Sequence, residues 1–375
     1  MSKTLFIGDL HVGARSGSKH VRAFIKDYLM NYVLPFCQDH GIERIVQAGD
    51  FFDIRRSLEG RDRHWLVNEF IPALMDYGIC MDVIPGNHDI TLADETTINW
   101  VDWLQSESGG FIECHSQPNE IDIDGHKFLM MPWICKENYA QCVEAINGTD
   151  AEYMVAHLEL AGFPMYQGAA ESTHNCIDAS LLSKFKAVKT GHYHTRSEKG
   201  NIEYLGTPYH LNWQDHKDGD NRGIYVFDSE TAEFTFHKNS SDQSMFRVVD
   251  YDYANIKAAG TQAEKDWLEP KWLDCPMVGL GLSGQVVRVN VTNRDSAPHF
   301  KKFKEALAKA HTIDYQVIDN TQVVMSEDIV VREEVIEADA ADVIHEKIDT
   351  VEGVNTENLH DKMREVNAIA LGDDA

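Results

Sequence analysis

Short apolar runs alternate with longer amphipathic stretches over the first 240 residues of the chain. The runs predict strands at residues 4–7, 44–47, 80–84, 128–131, 153–156 and 187–189, and the stretches predict helices at residues 21–36 and 65–77. Apolar runs of this length between helices are typical of strands that are buried on both faces. The pattern therefore predicts a layered α/β domain, in which ligand sites gather at the carboxyl ends of strands.

Two further regions follow this domain. The chain turns polar at residues 238–246, and beyond them residues 286–291 and 315–318 predict strands and residues 300–310 predict a helix with a basic face. From Ser326 onward the chain is acidic, with apolar residues at helical spacing on both sides of a break at residues 353–356. This pattern predicts a helical hairpin with one apolar stripe. We expect domains at residues 1–240, 241–324 and 325–375.

Charge and cysteine content narrow the functional classes. The net charge is -27, which argues against tight binding of DNA by this chain alone, because DNA-binding proteins usually present a basic face. Part of the excess is local, since residues 326–375 hold 15 Asp and Glu against 4 Lys and Arg. Seven cysteines without a CxxC pair disfavour a disulfide framework. No stretch approaches the roughly 18 apolar residues of a membrane helix. We expect a cytoplasmic protein that does not contact a membrane.

Five short polar motifs directly follow predicted strands. They are Gly8-Asp9-Leu10-His11, Gly49-Asp50-Phe51-Phe52-Asp53, Gly86-Asn87-His88-Asp89, His157 and Gly191-His192-Tyr193-His194. Asp-x-His and His-x-His each place two side chains on one side of an extended segment. Carboxylate, imidazole and amide donors together favour manganese, iron or zinc over calcium, and the lack of a thiolate disfavours a structural zinc site. One such pair alone is a weak signal, but five in this order predict a divalent-metal centre.

The ordered set of motifs resembles the calcineurin-like metallophosphoesterase superfamily over about the first 210 residues. The resemblance implies a β-sandwich flanked by helices, with two metal ions. It implies one ion held by Asp9, His11, Asp50 and His194 and a second held by Asp50, Asn87, His157 and His192, so that Asp50 bridges them. We expect manganese, with magnesium as the alternative.

The resemblance also implies roles for two residues beside the metal ligands. His88 would face the scissile phosphate, either stabilising the transition state or protonating the leaving oxygen. Asp53 would orient His88 and be part of the catalytic machinery. A turn-capping role for Asp53 stays open, and so does a purely structural role for Asp89.

Within the superfamily, several segments are similar to the SbcD-type nucleases. Residues 48–53 resemble their second motif, whereas protein phosphatases follow the second Asp with Arg-Gly and have Glu where this chain has Asp89. Residues 131–133 and 204–208 resemble further segments of that branch, as does the layout of a small α/β capping domain followed by a helical hairpin. The resemblance is greatest to the nuclease subunits of T-even-like bacteriophages, which would place the protein in a bacterial host cell.

The nuclease resemblance implies a substrate and partners. The substrate would be DNA, cut by exo- and endonuclease activity in double-strand-break repair, recombination and replication. The chain would form a homodimer within a heterotetramer that also contains an SbcC-type coiled-coil ATPase. Basic residues could hold DNA phosphates without discriminating sequence, namely Arg55, Arg56, Arg61, Arg63, Lys301 and Lys302. The apolar stripe of the tail could bind the ATPase, namely Val331, Val335, Ile344, Ile348, Leu359 and Met363.

The sequence leaves alternatives open for the basic residues, for the tail and for the activity. The basic residues could form a solvated charge cluster, and the tail could pack on its own chain. The enzyme could be a small-molecule phosphodiesterase or a protein phosphatase, although neither has an evident need for about 130 residues beyond the catalytic domain. A catalytically silent scaffold would be expected to lack some ligand positions, and here every one is filled.

Overall fold

A computed structural model describes residues 2–53, 57–92, 94–166, 168–173, 175–219, 221–239, 244–268 and 282–321. All but the last two of these residues belong to one compact unit, Met1–Asp319. The predicted hairpin at residues 325–375 lies outside the described residues, together with its proposed partner contacts Val331, Val335, Ile344, Ile348, Leu359 and Met363. Arg55 and Arg56 also lie outside them.

The first sheet has six strands and carries the first three motifs. Its spatial order is Glu233–Lys238, Gly223–Asp228, Lys3–Ile7, Ile42–Gln47, Cys80–Val83 and Ile112–Cys114. The last four strands are parallel, and Gly223–Asp228 is antiparallel to both of its neighbours. The carboxyl ends of the parallel strands therefore meet at one edge of the sheet.

The second sheet also has six strands and carries the last two motifs. Its order is Ser197–Lys199, Ile202–Tyr204, Ala187–Gly191, Tyr153–His157, His126–Met131 and Asn119–Ile123. The four central strands are parallel and the two edge strands are antiparallel to their neighbours. All six predicted strands of the first 240 residues are confirmed, each to within about three residues at its ends.

The two sheets pack face to face, as the alternation of their side chains shows. Phe6 and Phe128 come from different sheets and belong to one buried cluster, with their ring centroids 5.6 Å apart. Their neighbours Leu5 and Leu129 point the other way and pack into two separate clusters that also contain residues of the helices. Each sheet is thus apolar on both faces, and the fold is a sandwich of two sheets flanked by helices, as predicted.

Helices cover the outer faces of the sandwich. They are Lys19–Asp27, Tyr28–Val33, Leu34–His40, Gly60–Trp65, Leu66–Phe70, Ile71–Tyr77, Trp100–Glu107, Tyr139–Gly148, Ala179–Lys184 and Trp213–Lys217, with a short turn at Ala14–Gly17. The two predicted helices are confirmed, but each is longer than predicted and contains a π-helical turn, Tyr28–Val33 or Leu66–Phe70. Pro35 and Pro72 lie two residues after these turns, and because proline donates no hydrogen bond it favours such an irregularity. A hairpin of Ile90–Leu92 and Glu95–Asn99 was not predicted.

A small parallel sheet follows the sandwich along the chain. It contains Phe246–Asp252, Val286–Asn293 and Asp314–Asp319, with helices Tyr253–Ala258, Thr261–Asp266 and Ala297–Ala308. Tyr251, Val289 and Phe303 are fully buried in its core. The predicted small α/β unit is confirmed in its elements. Its helix begins earlier than predicted because Ser296 caps the amide of His299.

The expected domain limits stay a prediction, since the boundary near residue 240 falls among residues 240–243, outside the described ranges. Within the described part of the chain, no helix is long and apolar enough to span a membrane.

Candidate metal centre

The candidate ligands come together at the carboxyl ends of strands from both sheets. Asp9 follows the strand Lys3–Ile7, and Asp50 follows Ile42–Gln47. His157 ends its strand, and His192 follows Ala187–Gly191 directly. Asp9, His11, Asp50 and His157 are all at most 1% exposed. The sandwich thus buries polar groups from two sheets at one place, which is costly unless they interact with one another or with a ligand.

The backbone is strained at three of the candidate ligands. His11, Asp50 and His192 have φ angles of 50°, 52° and 96°, in the left-handed region that residues with a Cβ rarely adopt. Each such residue costs about 1–3 kcal/mol and persists only where the surrounding structure enforces it. Backbone strain at three residues that come together in one site indicates that the directions of their side chains are constrained by function.

Four of the five motifs begin with a glycine, which permits close packing of the motifs against one another. A Cβ on Gly86 would lie 2.8 Å from Cγ of Asp50, and closer still to its carboxylate oxygen and amide nitrogen. A Cβ on Gly191 would lie 2.8 Å from Nδ1 of His157, with the Asp9 carboxylate closer. The Gly-polar pairs seen in the sequence are therefore explained by the close approach of neighbouring motifs.

A first group of donors contains Asp9, His11 and His194, whose ligand atoms lie within 4.8 Å of one another. The Nε2 atoms of His11 and His194 face each other at 3.1 Å. The opposite ring nitrogen of each faces a carboxylate, since Nδ1 of His11 is 3.1 Å from Asp53 and Nδ1 of His194 is 3.3 Å from Asp215. The Asp215 carboxylate accepts the Nδ1 proton of His194, so the Nε2 lone pair of His194 faces the His11 ring.

A second group contains Asp50, His157 and His192, again with ligand atoms within 4.8 Å of one another. Nδ1 of His157 donates to the carbonyl oxygen of Ala48 at 2.9 Å, which leaves Nε2 to face Oδ2 of Asp50 at 3.3 Å. Oδ1 of Asn87 lies 3.1 Å from Nε2 of His157 and 2.9 Å from Nδ1 of His192. Two ring nitrogens, a carboxylate and an amide oxygen thus converge.

These contacts fit a divalent cation in each group. Lone pairs that face each other at about 3 Å repel unless a proton or a cation lies between them. Burial opposes protonation of His157, but the Asp50 carboxylate outweighs it and raises the pKa of His157 to about 9, so positive charge is favoured at this ring. Burial would raise the pKa of Asp50, but the charge and hydrogen bond of His157 hold it well below its usual range. The donor set of carboxylate, imidazole and amide oxygen suits manganese, zinc or iron.

His88 and Asp53 lie beside the donors. Nδ1 of His88 is 3.4 Å from Oδ1 of Asp53, the same oxygen that contacts His11. The amide of His88 donates to Oδ1 of Asp50 at 2.8 Å. Asp53 therefore contacts both His88 and His11, and in this position it can orient both imidazole rings.

Asp89 has a structural position. It is fully buried, and its carboxylate accepts hydrogen bonds from the amides of Phe51, Phe52 and Gly86 at 2.8–3.2 Å. These bonds hold the second and third motifs together. Burial raises the pKa of Asp89 to about 7, and the nearby Asp50 charge adds to the effect. The geometry favours the purely structural role that the sequence left open for Asp89.

A cleft of about 560 Å³ opens onto the donors. Its lining includes His88, Met165, Tyr166 and Gln214. Met165 is 51% exposed, so an apolar side chain stands at the rim of a polar site.

The described candidates for DNA contact are exposed on two helices. Arg61 and Arg63 lie on Gly60–Trp65, where Arg61 is 3.9 Å from Glu59 and the Arg63 guanidinium stacks 4.8 Å from the centroid of Trp103. Lys301 and Lys302 lie on Ala297–Ala308 and point to solvent. None of the four has a described partner among the metal donors.

One residue beside the donors was not identified from the sequence. Asp215 lies on the helix Trp213–Lys217, 21 positions after His194, and no motif marks it. Burial would raise its pKa, but the hydrogen bond and charge of His194 lower it below its usual value. The only available signal was the pair Asn212 and Asp215, which is typical of a helix start and says nothing of a metal.

The chain is similar to several known proteins. The chain is 31% identical to exonuclease subunit 1 of Enterobacteria phage T4 over 239 residues, which is 64% of this chain and 68% of that protein. No protein-family model matches. Distant structural likenesses include a dimetal phosphatase from Danio rerio, 11% identical over 60% of this chain and 91% of that chain with a TM-score of 0.37. Another is purple acid phosphatase PPD1 from yellow lupin seeds, 15% identical over 52% and 38% of the two chains with a TM-score of 0.32.

Proposed function

The chain belongs to the family of phage T4 exonuclease subunit 1, the SbcD-type branch of the metallophosphoesterases, and on this premise we propose that it is a two-metal DNA nuclease. The observation that carries the proposal is the convergence of two largely buried donor groups at the carboxyl ends of strands from both sheets. In our proposal Asp9, His11, Asp50 and His194 hold one cation and Asp50, Asn87, His157 and His192 hold the other. Manganese is the expected ion.

The chain's own residues have distinct tasks in phosphodiester hydrolysis. Two divalent cations in this centre would neutralise the phosphate oxygens and activate a water for in-line attack. His88 lines the cleft and holds a proton for the leaving oxygen, while Asp53 fixes the orientation of its ring through the 3.4 Å contact at Nδ1. Asp89 holds the loops that carry Asp50 and Asn87 together through hydrogen bonds to their backbone amides. The proposed metal ligands are therefore in place before the substrate binds.

DNA is the proposed substrate because the T4 relative is named an exonuclease subunit. Arg55, Arg56, Arg61, Arg63, Lys301 and Lys302 are the proposed phosphate contacts. The word subunit also supports a partner, which we propose to be an SbcC-type coiled-coil ATPase bound through Val331, Val335, Ile344, Ile348, Leu359 and Met363. In that assembly this chain is a homodimer within a heterotetramer. With a net charge of -27, the chain depends on the partner for part of its affinity for DNA.

The proposal is tested by offering three substrates to the purified chain with manganese. They are a labelled DNA oligonucleotide, bis(p-nitrophenyl) phosphate and a phosphoserine peptide. We expect hydrolysis of the oligonucleotide and of the small diester, and none of the monoester peptide. A chain that hydrolyses the small diester well but leaves both single- and double-stranded DNA intact would instead be a small-molecule phosphodiesterase. Preference for the peptide would indicate a phosphatase.

A further inference from the structure

A buried carboxylate outside the five motifs contacts one of the proposed metal ligands. Asp215 is 2% exposed, and its Oδ1 lies 3.3 Å from Nδ1 of His194. Its Oδ2 accepts the amide of Leu211 at 2.9 Å. Both oxygens of the carboxylate therefore have fixed partners, and one of them is the imidazole.

The contact determines which nitrogen of His194 carries the proton. An ionised carboxylate can only accept, so the proton lies on Nδ1 and the lone pair on Nε2. Nε2 is the atom that faces His11 at 3.1 Å. Oδ1 of Asp53 lies 3.1 Å from Nδ1 of His11. Each of the two facing rings therefore has a carboxylate beside its Nδ1.

Asp215 is itself held in place from several directions. Its amide donates to Oδ1 of Asn212 at 2.8 Å, and its carbonyl oxygen accepts from Nη2 of Arg222 at 3.2 Å. Arg222 is 2% exposed and also donates to the carbonyl oxygen of His194. The buried guanidinium therefore joins the backbone of the ligand to the backbone of the helix that carries Asp215.

The small parallel sheet packs against the same helix. The ring centroids of Trp213 and Phe246 lie 5.0 Å apart, and the guanidinium carbon of Arg288 lies 4.2 Å from the centroid of the Trp213 ring. Among the described residues, the buried Nε of Arg288 has no hydrogen-bond partner, whereas the guanidinium stacks on the indole. These contacts fix a helix of only five residues that would not be stable alone.

We propose that Asp215 is a positioning residue for the metal centre, which sets the tautomer and ring orientation of His194. The inference rests on the proposed function, because it takes His194 to be a metal ligand. A metal-ligating histidine often donates its other ring N–H to a carboxylate. Removing that carboxylate typically lowers metal affinity about 10- to 100-fold.

The test is calorimetric titration of the metal-free chain with manganese, comparing wild type with Asp215→Asn. Asp218→Asn is the matched control, since Asp218 lies next to the same helix and binds the same Arg222 at 2.9 Å. We expect two bound ions in the wild type, and one of them bound about 10- to 100-fold more weakly in Asp215→Asn. Asp218→Asn should keep the wild-type affinity, and excess manganese should restore hydrolysis of bis(p-nitrophenyl) phosphate by Asp215→Asn.

Two results would overturn the proposal: unchanged affinity in Asp215→Asn, or an equal loss in Asp218→Asn, which would assign the effect to helix packing. If Asp215→Asn does not fold, long-range proton–nitrogen spectra of the metal-free wild type decide the question, with His194→Gln identifying the signal. Protonation at Nδ1 supports the proposal and protonation at Nε2 alone refutes it. A wild type that binds no manganese would instead contradict the proposed function.

Discussion

Replacing Gly86 by alanine should displace the carboxylate that serves both proposed metal ions. The new Cβ would lie 2.8 Å from Cγ of Asp50, whereas carbon atoms in contact are about 3.5–4.0 Å apart. Asp50 must therefore move by about 1 Å, and it has little room because it is 1% exposed and its Oδ1 accepts from His88. Overpacking of this kind costs about 1–3 kcal/mol of stability. A displacement of about 1 Å at a reacting group costs about 100-fold in rate.

The assay is kcat/KM for bis(p-nitrophenyl) phosphate with manganese, alongside calorimetric manganese binding and thermal unfolding. Gly148→Ala is the matched control, because Gly148 ends the helix Tyr139–Gly148 and a Cβ there would meet nothing within 4 Å. We expect Gly86→Ala to lose about 100-fold in kcat/KM while remaining folded at 25 °C. Gly148→Ala should match the wild type in activity and be equally or slightly more stable.

A Gly86→Ala enzyme with wild-type kcat/KM and manganese affinity would refute this reasoning. That result would mean either that the motifs do not pack as closely as the structure has them or that Asp50 is not the shared ligand.

Three further predictions concern single side chains. His88→Ala should bind two manganese ions but lose cleavage, because His88 lies beside the donors; loss of metal in calorimetry would show that it is a ligand. Asp50→Ala should lose both tightly bound ions, and retention of one would show that it does not bridge. Asp82 is buried between Arg44 and His115, and hydrogen bonds from both lower the pKa of Asp82 although burial would raise it. Asp82→Asn should therefore lower the free energy of unfolding by about 3 kcal/mol at pH 7. A lowered carboxylate pKa contributes its full stability above the unfolded value of about 3.9 and loses it progressively as pH falls toward the folded value. The difference in denaturant unfolding should therefore shrink as pH falls below 4, and a constant difference would contradict the prediction.

The parts of the fold that follow from local pattern were predictable. Buried strands such as Lys3–Ile7 and Tyr153–His157 are short apolar runs, and each ends at a polar motif that is visible in the sequence. The proposed metal ligands were visible for the same reason, since they adjoin strand ends. The packing of Phe6 against Phe128 was not visible, because an apolar run does not specify which sheet it joins or which sheet faces it.

The missing parts of the site depend on contacts between distant segments. Asp215 reaches His194 from a separate short helix, and its neighbourhood in the sequence resembles an ordinary helix start. Met165 and Tyr166 reach the cleft from a loop between two strands of the second sheet, and nothing in their local sequence indicates a ligand. The π-helical turns were missed because periodicity alone does not detect one inserted residue.

The central claim is tested most directly by incubating end-labelled linear duplex DNA with the purified chain and manganese, beside Asp50→Ala. Our account predicts metal-dependent degradation by the wild type and none by the variant. Degradation that persists in Asp50→Ala would contradict it, because the cleavage would then not come from this metal centre. Intact DNA with wild-type protein that still hydrolyses bis(p-nitrophenyl) phosphate would contradict the nuclease assignment itself.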